Sequence, residues 1–225
     1  MKRKHVALII FAVLLLDQAI KIWVKVSMPL GSQFAVFGDW FIIHFSENPG
    51  MAFGLEFGGE WGKLALTIFR IVAVGLIFYF INQLIKNKAP WGFITAMSLI
   101  LAGALGNILD STLYGLIFDT GTFYSTELSR WVGYSGISKF NSPGYSTIFK
   151  GCVVDMLYFP IIKGYLPDWV PIWGGQYKTF FEPIFNIADS AISIGVFLIL
   201  IFNKTFLKEP EKKVLDGESE AVEVA

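Results

Sequence analysis

Two carboxylates stand where carboxylates are expensive. Asp155 closes Val153-Val154-Asp155, and Asp189 lies in Phe185-Asn186-Ile187-Ala188-Asp189-Ser190; each is beside or just inside an apolar stretch. An ionisable group in such a place points to function. Brought together, two carboxylates share one proton, and that arrangement lets an aspartyl-type hydrolase activate a water. The bland alternative is that each Asp hydrogen-bonds between packed helices. Asn186, one helical turn before Asp189, adds a third polar group on the same face. These residues alone do not name a reaction.

The elements that carry them belong to a membrane protein. Of 225 residues, 54% are hydrophobic and 16% charged, with mean hydropathy +0.58, outside the range of a soluble domain. The formal net charge is zero, so nothing points to nucleic acid. A single cysteine, Cys152, excludes an internal disulfide and a Cys-rich zinc site. No histidine follows His44 to activate a thiol, so Cys152 reads as a small buried apolar residue. Met1-Lys2-Arg3-Lys4 and the apolar run after it imitate a signal peptide. Asp17, Gln18, Lys21, Trp23 and Lys25 then stand where small cleavage-site residues belong, so this is an uncleaved first membrane helix.

A membrane helix needs about 20 mainly apolar residues. Four runs qualify: about His5–Val26, Gly62–Ile85, Pro90–Tyr114 and Pro183–Phe202. Lys2, Arg3 and Lys4, then Lys86 and Lys88, then Lys204, Lys208, Lys212 and Lys213 fall on one side of four spans. The excess of positive charge makes that side cytoplasmic, with both termini there. The segments 27–61 and 116–182 are then extracytoplasmic. The first alternates in Gln33–Gly38 and Trp40–Phe45, which predicts a small antiparallel sheet at the membrane surface. The fold class is thus membrane α-helical, four transmembrane helices with a small extracytoplasmic β-sheet cradle. Residues 1–208 form one membrane domain, with the cradle in 27–61 and a long outer excursion in 112–150. The charged tail 209–225 has a disordered composition.

The outer ends of the predicted helices collect the polar residues. Asn107 and Asp110 end the third, among Gly103, Gly106 and Ala104, while Asn186 and Asp189 begin the fourth. In the first, Asp17 and Lys21 are spaced for an i,i+4 ion pair, with Lys25 free to snorkel outward. Arg70, inside the second, needs a partner or the interface. Asn48-Pro49-Gly50 has the residues of a tight turn. There is no His-Glu-x-x-His and no His/carboxylate cluster that recommends a metal. Gly133-Tyr134-Ser135-Gly136 looks like the serine motif of rhomboid proteases, but no later membrane histidine accompanies it.

Taken in order, five blocks resemble the lipoprotein signal peptidase (signal peptidase II) family. They are Asp17-Gln18-x-x-Lys21; Asn48-x-Gly50-x-Ala52-Phe53-Gly54; Gly103-Ala104-Leu105-Gly106-Asn107-x-x-Asp110; Val153-Val154-Asp155; and Phe185-Asn186-x-Ala188-Asp189-Ser190. The resemblance implies a cofactor-free aspartyl endopeptidase of the bacterial cytoplasmic (inner) membrane, its site facing outward. Such an enzyme removes the signal peptide of diacylglyceryl-modified prolipoproteins, cutting before the lipidated cysteine. It implies membrane lipids and globomycin-type inhibitors as further partners. It makes Asp155 and Asp189 the catalytic pair, and gives Asn48, Gly50, Asn107, Asp110, Asn186, Asp17 and Lys21 supporting or substrate-binding roles.

Two departures stand out. Ala102 and Ser111 replace a glycine and an arginine of the family pattern, and the stretch between Asp110 and Asp155 is roughly thirty residues longer than usual. Arg70 is the candidate for the missing cation. The excursion is expected over or beside the site, with Phe123, Tyr124, Trp131 and Tyr134 at the membrane interface. Two other readings are a small channel or transporter, disfavoured by the lack of inverted-repeat symmetry, and a non-enzymatic scaffold.

Overall fold

The computed structural model describes residues 1–50, 59–141 and 143–206. Ala52, Phe53 and Gly54 of the second block, and the tail 209–225, lie outside the described residues.

Apolar runs flanked by lysines become helices because a bilayer leaves backbone groups no other partner. They are α1 (Arg3–Ser27), α2 (Gly59–Lys86), α3 (Trp91–Leu109) and a shorter apolar helix that begins at Ile187. α1, α2 and α3 with its extension are long and apolar enough to cross a membrane. Leu8 and Phe11 of α1 and Phe69 and Leu76 of α2 point away from the bundle, as lipid-facing residues do. α3 packs against the other three. Its glycines permit this. A Cβ on Gly103 would lie 2.1 Å from the Ala188 carbonyl oxygen, and one on Gly106 would lie 2.7 Å from Asp17 Oδ2. Beyond Leu109 the helix widens into a π-helical turn, Asp110–Tyr114, and ends in α4 (Gly115–Ile117). Such turns are frequent at functional sites.

One end of the bundle carries a four-stranded antiparallel sheet. Its members, in order across the sheet, are β1 (Gln33–Phe37), β2 (Phe41–Asn48), β5 (Val153–Tyr158) and β8 (Ile184–Phe185). β1 and β2 are the predicted cradle. β5 and β8 join from distant sequence, so Asp155 rides a strand. This last helix, α5 (Ile187–Phe206), apolar over Ile187–Asn203, starts later than Pro183 because Phe185 pairs with Leu157 in the sheet. Val24, Met28, Ile43, Phe45, Tyr114, Phe118, Val154 and Met156 form the core between sheet and helices. A hairpin of β3 (Phe123–Ser125) and β4 (Arg130–Val132) lies in the long excursion. A second, of β6 (Ile162–Tyr165) and β7 (Tyr177–Phe180), separates β5 from β8 and has no counterpart in the sequence reading.

Candidate functional site

The site forms where α1, α3, α5 and β5 meet, around a fully buried lysine. Lys21 Nζ lies 2.9 Å from Asp17 Oδ2 and 2.8 Å from Asp110 Oδ2, and donates to Asn107 Oδ1 at 3.0 Å. The i,i+4 pair expected within α1 is therefore present, and it reaches onto α3. Gln18 donates to Asp110 Oδ1 at 2.8 Å, and Tyr114 donates to Gln18 Oε1 at 3.1 Å. Asp17 accepts the Ala188 backbone N–H at 2.9 Å, so a carboxylate satisfies an orphan donor in the first turn of α5. Asp110 accepts the Val154 N–H at 3.3 Å, which holds β5 next to the helices.

Two asparagines carry this order to the paired aspartates. Asn107 donates to Asp189 Oδ1 at 2.8 Å. Asn186, fully buried, donates to Asp155 Oδ1 at 2.6 Å and to Asn107 Oδ1 at 3.2 Å, and accepts the Asp189 N–H at 2.9 Å. Asp155 and Asp189 are thus linked through two hydrogen-bonded amides, Asn186 and Asn107. Asp155 is buried and Asp189 half-buried, so the second faces the open side. Burial first, and then the charge of Asp189, push the Asp155 carboxyl up to about 8. Asn48, at the end of β2, hydrogen-bonds Asp155 as well, and its Oδ1 accepts the Gly50 N–H at 2.8 Å, closing an Asx turn. Gly50 has φ +107°, and a Cβ there would meet Leu66 at 2.9 Å, so only glycine fits.

Arg70 is half-buried on α2, seven residues after buried Lys63, on the face turned to the bundle. Asp189, Asp155 and Asp110 are within its electrostatic reach, and no ion pair joins it among the described residues. The cation on Asp110 is Lys21. Ser111 instead donates to the Asn107 carbonyl at 3.0 Å.

Lys25 does not snorkel. It is fully buried and ion-paired with Glu47 on β2. It also donates to the Thr120 carbonyl at 3.0 Å, under the rings of Phe118, Tyr134 and Tyr145 at 5.0–5.4 Å. Tyr134 accordingly turns its hydroxyl inward to Glu47 and Lys25 instead of to the membrane interface. Sequence reasoning missed this cluster; its only signal was a second lysine one turn past Lys21 with no carboxylate beside it on the helix. Cys152 is buried, its Sγ on the Thr122 carbonyl at 3.2 Å, and burial pushes the thiol up to about 12, so it stays inert. Among the described residues no three His, Cys, Asp or Glu side chains come together to hold a metal.

The family model for signal peptidase (SPase) II matches residues 9–205. A lipoprotein signal peptidase of Porphyromonas gingivalis is 46% identical over 221 residues, covering 96% of this chain and 92% of that one. Another, of Amoebophilus asiaticus, is 39% identical over 202 residues, covering 88% and 77%. A bacterial membrane enzyme solved by the in meso method at 1.9 Å has a TM-score of 0.56 and 28% identity, covering 92% of this chain and 95% of its own. The chain belongs to the signal peptidase II family of membrane proteases, which cleave signal peptides from prolipoproteins.

Proposed function

We propose that this protein is an aspartyl endopeptidase in which Asp155 and Asp189 hold one proton between them and activate a water against the peptide bond before a diacylglyceryl-modified cysteine. The observation that carries this is the amide bridge. Asn186 and Asn107 bind both carboxylates, which come from a strand and a helix remote in sequence. The ionised member takes a proton from water as the oxygen attacks the carbonyl carbon. The protonated member gives its proton to the carbonyl oxygen, forming a tetrahedral gem-diol. The proton taken from water then passes to the leaving nitrogen as the C–N bond breaks, and a gem-diol hydroxyl returns its proton to the other carboxylate. The burial that lifts Asp155 keeps such a proton available at neutral pH.

The remaining residues have positioning parts. Lys21, with Asp17 and Asp110, fixes Asn107 and the start of α5. Asn48 and Gly50 set the edge of the site below β2. Arg70, within electrostatic reach of three carboxylates and without an ion pair among the described residues, is available for a substrate carbonyl. The lysine clusters support an orientation in the bacterial inner membrane with both termini cytoplasmic and the sheet end outward. No cofactor enters the reaction.

The test is cleavage of a purified diacylglyceryl prolipoprotein by the purified chain, with and without globomycin. Release of the signal peptide that stops with globomycin is expected. Absence of cleavage, or undiminished cleavage by the Asp155→Asn and Asp189→Asn variants, would overturn the reading.

A further inference from the structure

The β6–β7 hairpin ends in a tip that water does not suit. Trp169 is 80% exposed and Ile172 87% exposed, with Trp173 beside them. The tip is not a loose loop. Leu166 donates to the Gln176 carbonyl, Gly175 to the Leu166 carbonyl and Gly174 to the Val170 carbonyl, all at 2.9 Å. Ile172 has φ +72°, a strained conformation for a β-branched residue, and it is the most exposed of the three. A closed turn that spends strain to hold an isoleucine and two tryptophans outward needs an apolar or interfacial occupant.

The occupant follows from what the hairpin is joined to. Trp23, on the outward face of membrane-spanning α1, meets Phe34 of β1 edge to face at 6.3 Å. From β1 a run of ring contacts continues through Trp40 and Phe159 to Phe185, two residues before α5. Phe181, at the foot of the hairpin, packs on Phe185 at 5.9 Å, and Lys163 of β6 donates to the Asp39 carbonyl in the β1–β2 turn. The aromatic surface is therefore continuous with the sheet-side ends of membrane-spanning α1 and of the apolar helix α5. Tryptophan favours the level where a spanning helix leaves the bilayer because one side of the indole is apolar and its N–H can reach headgroups.

We propose that the tip of the β6–β7 hairpin docks into the headgroup region of the leaflet at the sheet end of the bundle, with Trp169, Ile172 and Trp173 as its anchors. The hairpin connects the strand of Asp155 to the helix of Asp189, so its docking fixes the height of both carboxylates relative to the lipid. The docking itself does not depend on the peptidase reading.

The test uses the full-length chain in phosphatidylcholine nanodiscs, with or without lipids brominated near the headgroup end of their acyl chains. The protein has seven tryptophans. The emission lost on Trp169→Phe/Trp173→Phe isolates the two at the tip. That difference emission should be blue-shifted, strongly quenched by the brominated lipid and indifferent to aqueous iodide. Ile172→Asp, with both tryptophans retained, should reduce the lipid quenching and open them to iodide. Quenching by iodide and not by lipid in the unaltered tip would overturn the proposal. Protection from both quenchers would overturn it too, because the tip would then be covered by protein, such as a second copy of this chain. Lipid quenching unchanged in Ile172→Asp would remove the tip from the contact.

Discussion

Lys21 and Lys25 stand one turn apart on α1, both shut off from solvent, and they serve different parts of the chain. Lys21 takes its counter-charges from Asp17 and Asp110 and passes order through Asn107 to Asp189. Lys25 reaches Glu47 on β2, which in turn accepts the Thr122 N–H at 2.6 Å from the long excursion. Ser46 is opposite Asp155 and Glu47 opposite Val154, so alternation along the strands puts Glu47 on the face away from Asp155. One lysine gathers the polar groups of the site. The other fastens the excursion to the back of the sheet that carries it. Substitutions at the two should therefore separate turnover from stability.

The largest effects belong to the first region. Asp155→Asn and Asp189→Asn should each lower the rate of signal-peptide release by at least ~10²-fold, the lower end of what a general acid or base contributes. In Asp155→Asn a neutral amide replaces the carboxyl that confronts the charge of Asp189, so the melting temperature of that variant should stay level or rise. A single-turnover assay alongside thermal unfolding checks both. A variant that unfolds early would show that the pair is structural. Lys21→Met leaves Asp17 and Asp110 buried without a cation, which costs on the order of 3–5 kcal/mol. It should lose turnover even in its folded fraction, because Asn107 is no longer held.

The pH dependence belongs to the same region. Asp155 keeps its proton up to about 8 in the folded state. The unfolded chain releases that proton at the ordinary carboxyl value. Between the two, the folded state binds more protons, so this residue's contribution to stability is full at acid pH and is lost as pH rises to about 8. Turnover should fall on the same alkaline limb as the shared proton leaves. Asp155→Asn should abolish the loss of stability between the ordinary carboxyl value and about 8, and thermal melts across pH decide it.

The second region should behave otherwise. Lys25→Met strands Glu47 and should cost on the order of 3–5 kcal/mol, while Lys25→Met/Glu47→Leu should recover most of it, since an apolar pair of similar volume replaces a buried ion pair at little net cost. Turnover per folded molecule of the double variant should stay near that of the unaltered chain. Lost turnover with restored stability would mean that the back of the sheet acts on Asp155 as well, and the contrast between the two lysines would fail.

The first region was legible in the sequence and the second was not, for physical reasons. Asp17 and Lys21 are neighbours on one helix face, and Asn186 and Asp189 share a helical turn, so local spacing announces them. Lys25 and Glu47 are 22 residues apart across a helix and a strand, and only the fold brings them together. The same holds for β5 and β8: Val153–Tyr158 lies in the long outer segment without an alternating pattern, and its pairing with β2 is a long-range event. The β6–β7 strands have four residues each, too short to give a period.

The smallest effect is expected where the excursion touches α2. Lys150 Nζ lies 2.8 Å from Glu60 Oε2, but the side chains are 34% and 41% exposed. Water competes for both charges, and holding two long side chains together offsets much of the attraction, so such pairs contribute about 0–1 kcal/mol. Lys150→Ala should therefore shift stability by under ~1 kcal/mol, and the difference should shrink as salt is raised, because exposed charges are screened. Chemical unfolding at low and high ionic strength measures it. The excursion would then be held by its buried contacts at Lys25 and Glu47, with this surface link adding little. A salt-insensitive loss of several kcal/mol at Lys150 would instead make the α2 contact a second fastening and weaken the assignment of that role to Lys25.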